Sequence, residues 1–535
     1  MEKTYSSLLY PSEAARLKDL TKTTPIATHE VCTALGLTDL LSLKNASPST
    51  YLTDDIDVIL YRESTLRDVR NHPAVEATLS ELLPILWDIA ELRELGKDLD
   101  SDSGASYLYS ITEIELYIAC ITALEEGLLP ISDKLESMAL KSLVDFVTEL
   151  AQSDAYKQLV EGIKKLSSKM HDVRSITVGV NVDSQFRPYE AGVISVNAEP
   201  FHSGTTLDKI LRMSFKPDSR TCIASLTPFG KGQSENRKEA LLGAFNNAIL
   251  DVFHASVRGW RSIVGDYVLD NTNFLLKMLP EIEFVCRAVA LEKKMLAKGY
   301  ALCCPTLCKK EDKAFTAKGL YHADVALKID SPIVKNDFSF DDETKIFVIT
   351  GPNRGGKSVL TTAVGLAQLM AQLGLLVPAE ELTLSPADQI LTHFPDGAED
   401  TLDRGRLGEE CNRLRQMLEA MTEDSLLLLD ESLSSTGAFE ATYIAADILL
   451  GFSLSKARCI FCTHLHDLAA KVPEISQASK QQGGVGIDTM TAEMNQDCTR
   501  SFRVVRGTPD GKSYAMDIAK KYGLGQDDIL TMVKK

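Results

Sequence analysis

The chain lacks any stretch suited to crossing a membrane. No apolar run reaches the length needed to span a bilayer, and the start, Met1-Glu-Lys-Thr-Tyr-Ser-Ser7, has no basic segment leading into an apolar one. Residence in the cytoplasm is therefore the expectation. Positive charge is also short: 57 Lys and Arg stand against 75 Asp and Glu, a formal net charge of −18. That excludes a surface coated with base and confines any contact with a polyanion to a local patch. Internal repeats and low-complexity tracts are missing as well. What is present is 535 residues, 44% hydrophobic and 25% charged, enough for three or four domains with sizeable cores.

Eleven cysteines raise two metal readings: Cys303-Cys304-Pro-Thr-Leu-Cys308 with His322, and Cys459-Ile-Phe-Cys462 with His464 and His466. Cys459 and Cys462 fall in a strand pattern, where positions three apart point to opposite faces and cannot both reach one ion. Buried reduced thiols, acting as small apolar side chains, are the better reading.

The strongest chemical signal is Gly351-Pro352-Asn353-Arg354-Gly355-Gly356-Lys357-Ser358. It fits the pattern of Gly, four residues, then Gly-Lys-Ser, and lies between an apolar run, Lys345 to Thr350, and a helical pattern, Val359 to Leu376. The glycines thus fall at a strand-to-helix turn, where backbone amides can point at phosphate without side chains in the way. Lys357 would reach the outer phosphates of a nucleoside triphosphate, and the Ser358 hydroxyl would ligate Mg²⁺. Some seventy residues on, Ser425-Leu-Leu-Leu-Leu-Asp430-Glu431 reads as a short buried strand ending in two acids. Asp430 suits the Mg²⁺ shell, and Glu431 suits polarisation of an attacking water. A third strand, Arg458 to Thr463, delivers His464 to the same sheet edge.

Before this region the texture is mostly helical. Val75, Leu79, Leu82, Leu83, Leu86, Ile89 and Leu92 form one stripe, and a similar pattern runs from Tyr107 to Leu124. Leu135 to Met170 keeps three- and four-residue apolar steps, predicting a single helix of roughly 50 Å. Ser175–Val182 and Gly192–Asn197 then alternate like strands. Helix resumes near Ser234, with a break expected near Gly265, and continues to Lys298. This reads as a long outgoing helix, a β-rich tip and a returning helix. Around the tip the acidic trend reverses, with Lys209, Arg212, Lys216, Arg220, Lys231, Arg237 and Lys238 against Asp208, Asp218 and Glu235. These bases form a candidate phosphate-contacting patch; a solvated face is the plainer alternative.

The loop Thr350 to Ser358 resembles that of the MutS family, and further landmarks agree in order: Asn336-Asp337, Val377-Pro378-Ala379, Gly397-Ala398-Glu-Asp400, Asp430-Glu431, Cys462-Thr-His464-Leu-His466-Asp-Leu468 and Ser513-Tyr-Ala515. The resemblance covers about Ser331 to Leu524. It implies a multidomain protein, an all-α core and lever with a small β-rich clamp followed by an α/β P-loop (ABC-like) ATPase domain. The domains would be 1–174 (core and outgoing lever), 175–233 (clamp-like tip), 234–298 (returning lever) and 299–535 (ATPase). It implies an ATP hydrolase that pairs as a homodimer and encloses DNA, with Gly351 to Ser358 on phosphate, Ser358 and Asp430 on Mg²⁺, Glu431 activating water and His464 sensing nucleotide. Ile333 would cover the adenine.

Three departures modify that picture. About 350 residues precede the loop, so mismatch reading in the family's usual manner is not expected, and neither is DNA cutting by an appended nuclease module. The family's Ser-Thr at the head of the helix after Gly397-Ala398 is replaced within Gly405-Arg406-Leu407-Gly408-Glu409. Arg404 or Arg406 would have to substitute for the hydroxyl that touches the partner's nucleotide. Ser432-Leu-Ser-Ser-Thr436-Gly437 also replaces the family's Gly-Arg-Gly-Thr. The leading expectation is a slow, ATP-dependent DNA clamp related to mismatch repair or recombination control. The alternative is a nucleotide-gated protein-interaction module with little DNA binding. A transporter subunit lacks its Leu-Ser-Gly-Gly-Gln signature here, and a kinase would not need a lever.

Overall fold

A computed structural model describes residues 7–44, 46–96, 104–171, 175–185, 188–197, 199–200, 202–203, 221–222, 261–352, 354–395, 405–495 and 499–507, with 523, 529–530 and 532. The described residues are mixed helical and α/β with several sheets. They form two compact units that do not follow chain order. One comprises residues 72–135 and 140–282, the other 7–71, 136–139 and 283–535. Among the described residues no helix is long and apolar enough to cross a membrane.

In the first unit, helix Pro73–Gly96 packs against helix Gly104–Leu128. Val75, Leu79, Leu82, Leu86 and Ile89 recur at helical spacing and are all buried, as are Ile114, Tyr117, Ile121 and Leu124. Arg93 Nε donates to Glu113 Oε1 at 2.7 Å and ties the two helices where their stripes end. The single helix expected from Leu135 to Met170 is instead two, Met138–Gln152 and Asp154–His171. Ser153 interrupts it because its hydroxyl accepts from Tyr156 N at 3.2 Å and caps the second helix, a local bond that competes with helix continuation. Gly265 does the opposite of what was expected: helix Arg261–Ala297 runs through it unbroken. A lone glycine costs only about 1 kcal/mol, which the rest of a 37-residue helix absorbs.

Strand β1 (Ser175–Val182) pairs antiparallel with β2 (Pro188–Asn197), and β3 (His202–Ser203) pairs parallel with β4 (Thr221–Cys222). Lys209, Arg212, Lys216, Arg220, Lys231, Arg237 and Lys238 lie outside the described residues.

The second unit carries β5 (Thr306–Leu307), β6 (Phe315–Leu320), β7 (Asn336–Phe340), β8 (Thr344–Thr350), β9 (Glu381–Leu384), β10 (Ile390–His393), β11 (Leu426–Asp430), β12 (Arg458–Cys462), β13 (Gly486–Met494) and β14 (Arg500–Arg506). The larger sheet has the order β10-β11-β12-β8-β13-β14 and is parallel except for β14. Its central strands read as continuous apolar runs because helices cover both faces. Ile346, Val348, Leu427, Leu429, Cys459 and Phe461 meet Ala441, Ala445, Leu449 and Phe452 of helix Ala438–Leu454. On the other face, helix Lys357–Gln372 comes so close that a Cβ on Gly365 would lie 2.5 Å from Leu428 Cδ1.

A smaller sheet, β5-β9-β6-β7, joins this one through aromatic packing, with Phe338 and Phe347 rings 5.5 Å apart and edge-on. Arg458, fully buried at the start of β12, donates to the carbonyls of Ala314 and Ser385 at 3.0 and 3.2 Å. Burial pulls its guanidinium down to about 10.

Residues 7–71 wrap the same unit. Ile390 N of edge strand β10 donates to Ile26 O at 2.6 Å, and Gln372 Nε2 donates to Thr53 O at 2.9 Å. Arg62, in helix Ile56–Asn71, donates to Leu9 O and Tyr51 O and lies over the Tyr10 ring.

Two glycines with the same φ of +80° separate packing from conformation. A Cβ on Gly374 would meet Arg62 Cβ at 2.8 Å and Glu63 N at 3.1 Å, whereas one on Gly299 would meet nothing within 4 Å. Gly374→Ala should lower the unfolding free energy by about 3 kcal/mol, and Gly299→Ala by about 1 kcal/mol. Equal losses in urea titrations would refute the packing difference.

His322 caps helix Ala323–Lys328, its Nδ1 accepting from Val325 N at 3.4 Å. Burial pulls its pKa from 6.5 to about 4. Between those values the unfolded chain takes up a proton that the folded chain does not, so stability falls as pH drops from 6.5 toward 4. His322→Asn, a cap that does not titrate, should flatten that slope in pH-dependent denaturation; an unchanged slope would remove His322 as its cause.

Candidate nucleotide-binding site

Register brings the candidate groups together. Asp430 pairs with Cys462, and Cys462 with Ile349, so the ends of β11, β12 and β8 lie in one row. The ladder continues one step beyond the strands, with Thr463 N donating to Ile349 O at 3.0 Å and Glu431 N to Cys462 O at 2.9 Å. Parallel strands joined by helices expose their carboxyl ends along one edge, where the loops form a crevice.

At the end of β8 the chain turns through Gly351–Gly356 into helix Lys357–Gln372, with Gly356 at the helix N-cap and φ +100°. A side chain at Gly355 would place Cβ 2.8 Å from Pro352 O and 3.0 Å from Ala492 Cβ. The turn therefore has room for backbone only, and a helix N-terminus opening from it favours an anion. Arg354, at φ +58°, is exposed; Asn353 lies outside the described residues. Lys357 is buried, and its Nζ donates to Gly351 O at 3.0 Å and Pro352 O at 3.1 Å. Burial holds this ammonium below the ordinary lysine range, offset in part by Cys462, Glu431 and Asp430.

Ser358, one residue into the helix, lies near enough to Asp430 for its hydroxyl to favour the charged carboxylate. Burial pushes the Asp430 carboxyl above its ordinary range, against the pull of the Ser358 hydroxyl and of Lys357. Its Oδ1 is buried without a hydrogen-bond partner among the described residues. A hydroxyl and a carboxylate with an unused buried oxygen form a hard-oxygen donor pair, and this pair with the glycine cradle fits Mg²⁺ and phosphate. Glu431, at φ +50°, aims its Oε1 to 2.5 Å from His464 Nε2, and both side chains keep about a third of their surface open.

Gly351, Pro352, Gly355, Gly356, Lys357, Ser358, Asp430, Glu431 and His464 thus surround one sheet edge. Ile333 is half-buried in the loop ahead of β7. Gly405 opens helix Gly405–Ala420 and Arg406 is exposed on its first turn, while Arg404, Gly397, Ala398 and Asp400 lie outside the described residues, as do Ser513 to Ala515.

Three contacts near the site had no signal of their own in the sequence. Asn336, noted above only as a landmark, grips β14 from both sides of its amide, accepting from Val504 N at 2.8 Å and donating to Phe502 O at 3.2 Å. That holds Phe502 against the loop, since a Cβ on Gly356 would lie 3.2 Å from its carbonyl. Thr361, one turn into the phosphate-loop helix, meets Cys462 Sγ at 2.9 Å. His393, a lone histidine ending a short apolar strand, meets Ser432.

Comparison with known proteins agrees with this geometry. The description of MutS domain V matches residues 347–534, and that of the MutS2 N-terminal domain matches residues 54–295. The DNA mismatch repair protein MutS of Chlorobium phaeovibrioides is 32% identical over 242 residues, 44% of this chain and 26% of its own. Endonuclease MutS2 of Thermus thermophilus is 33% identical over 195 residues, 36% of this chain and 25% of its own. The MutS of Chlorobium chlorochromatii is 36% identical over 200 residues, 37% and 22% respectively. The chain spans about a quarter of the length of these curated relatives. With one part matching MutS domain V and most of what precedes it matching the MutS2 N-terminal domain, the chain belongs to the MutS family.

Proposed function

We propose that this chain is a DNA-binding ATPase of the MutS type, a homodimer whose nucleotide state governs its hold on duplex or branched DNA. The observation that carries the reading is the convergence of the glycine turn, Lys357, the Ser358–Asp430 pair and the Glu431–His464 contact on one sheet edge. The amides of Gly351 to Ser358 receive the phosphates. Lys357, already anchored by two loop carbonyls, adds a fixed cation there. Mg²⁺ held by Ser358 and Asp430 neutralises phosphate charge when bound. Glu431 accepts a proton from the attacking water, and the neighbouring His464 orients its carboxylate. Arg406, at the head of its helix, takes the place of the family's hydroxyl toward the partner subunit, and turnover is slow. On DNA the contacts are to phosphate and fall on Lys209, Arg212, Lys216, Arg220 and Lys231.

The acidic balance of −18 favours a second reading, a nucleotide-gated protein-interaction module. Gel-shift titrations with linear, mismatched and branched duplexes, with and without ATP, separate the two. Under the leading reading affinity falls steeply with salt. No shift at low salt, or one indifferent to salt, would favour the second.

Lys357→Ala should lose ATP binding in a fluorescence titration. Glu431→Gln should bind ATP as the parent does but hydrolyse it about 100-fold more slowly or worse. Normal turnover in Glu431→Gln would remove Glu431 as the base.

A further inference from the structure

The turn that carries Glu431 is strained. Glu431 and Leu433 both adopt left-handed backbone angles, φ +50° and +64°, although neither is glycine. Each costs roughly 1–2 kcal/mol, so such a turn persists only where its surroundings over-determine it. Three contacts do so. Glu431 N is bound to Cys462 O, and Leu433 is buried in the core cluster that also contains Leu429, Leu449 and Phe461. Between them Ser432, itself buried, sets its Oγ 2.7 Å from His393 Nδ1.

His393 is well placed for this task. It is the last residue of β10, paired in register with Leu429 of β11, and only 3% exposed. On its far side Arg413 lies 3.5 Å from Nε2 and donates to Phe394 O at 3.2 Å. A guanidinium only donates, so a neutral His393 ring that accepts from it at Nε2 would carry its proton on Nδ1, toward Ser432 Oγ. The helix that supplies Arg413, Gly405–Ala420, holds the same loop again, because Ser435 donates to Glu410 Oε2 at 3.0 Å.

We propose that His393 is a positioning residue for hydrolysis: by holding Ser432 it fixes the strained turn 431–433 and thereby aims the Glu431 carboxylate at His464. This rests on Glu431 acting as the base. About a third of the Glu431 side chain is open, so its direction depends on the His464 contact together with the backbone turn that places it within reach of that contact. Small misplacements of a reacting group are expensive: about 1 Å costs on the order of 100-fold in rate.

The test uses the full chain. Ser432→Ala and His393→Ala should each lower kcat roughly 10- to 100-fold while the Kd for ATP stays within about twofold. Ser432→Thr, which keeps the hydroxyl, should retain most of the turnover. The double variant should be no slower than the slower single one, and neither change should slow Glu431→Gln further. In the nucleotide-free protein, hydrogen exchange at the amides of Glu431 and Leu433 should accelerate in His393→Ala.

Unchanged kcat in both single variants would overturn the proposal. So would a loss of kcat and ATP affinity in step with a lowered melting temperature, which marks general destabilisation. Failure of the parent protein to bind or hydrolyse ATP is a different result and would strike the function proposed above.

Discussion

The shared register of β8, β12 and β11 is the constraint on which the candidate site depends. Ile349, Cys462 and Asp430 occupy one row of a parallel sheet, and Thr463 and Glu431, the next residues of β12 and β11, donate backbone hydrogen bonds to Ile349 and Cys462. Slipping one strand by a residue would turn its whole apolar set over and move the acids away from the phosphate loop. Burial on both faces prevents that slip. Alternate residues of these strands face different helices, and nearly all are fully buried. Core packing and site geometry are therefore one requirement.

Polar groups that this architecture buries are satisfied by backbone more often than by charge. Lys357 rests on two loop carbonyls, Arg458 on carbonyls that close the smaller sheet, and Arg62 on carbonyls of the segment wrapped around the unit. Carbonyl contacts position a cation without neutralising it, so burial still depresses Lys357 and Arg458. Asp430 carries the opposite imbalance, with its carboxyl raised by burial. Opposed charges poised at a glycine turn suit an anion and a divalent cation arriving together.

Of seven non-glycine residues with left-handed backbone angles among the described residues, four lie at the candidate site. Arg354, Glu431, Leu433 and Phe502 all take left-handed angles, and all lie in the phosphate loop, beside Asp430 or against Gly356. Two of them are pinned by neighbours remote in sequence, Glu431 by Cys462 and Phe502 by Asn336, and Ser432, between Glu431 and Leu433, is held by His393. The segment 7–71 adds a boundary of another kind, supplying Ile26 O to the open edge of β10 and so satisfying an amide that an edge strand would otherwise present to solvent.

Much of this was legible in the chain itself. The glycine turn between an apolar strand and a helix, the paired acids ending Leu426–Asp430 and the strand before His464 could be read from residue type and spacing, because apolar period and glycine placement are local properties. Helix ends were less legible: Ser153 breaks a pattern that looked continuous, and Gly265 fails to break one. A cap competes locally with the helix, whereas the cost of one glycine is spread over a long one. The His393–Ser432 bond, the Asn336 grip on β14 and the return of residues 7–71 to the second unit were decided only by tertiary structure. Each joins residues far apart in sequence, and which polar groups meet there depends on strand order and register. By itself, then, the sequence determined which groups stand at the ends of the strands; the fold decided what holds them in place, because orientation comes from neighbours that local pattern does not encode.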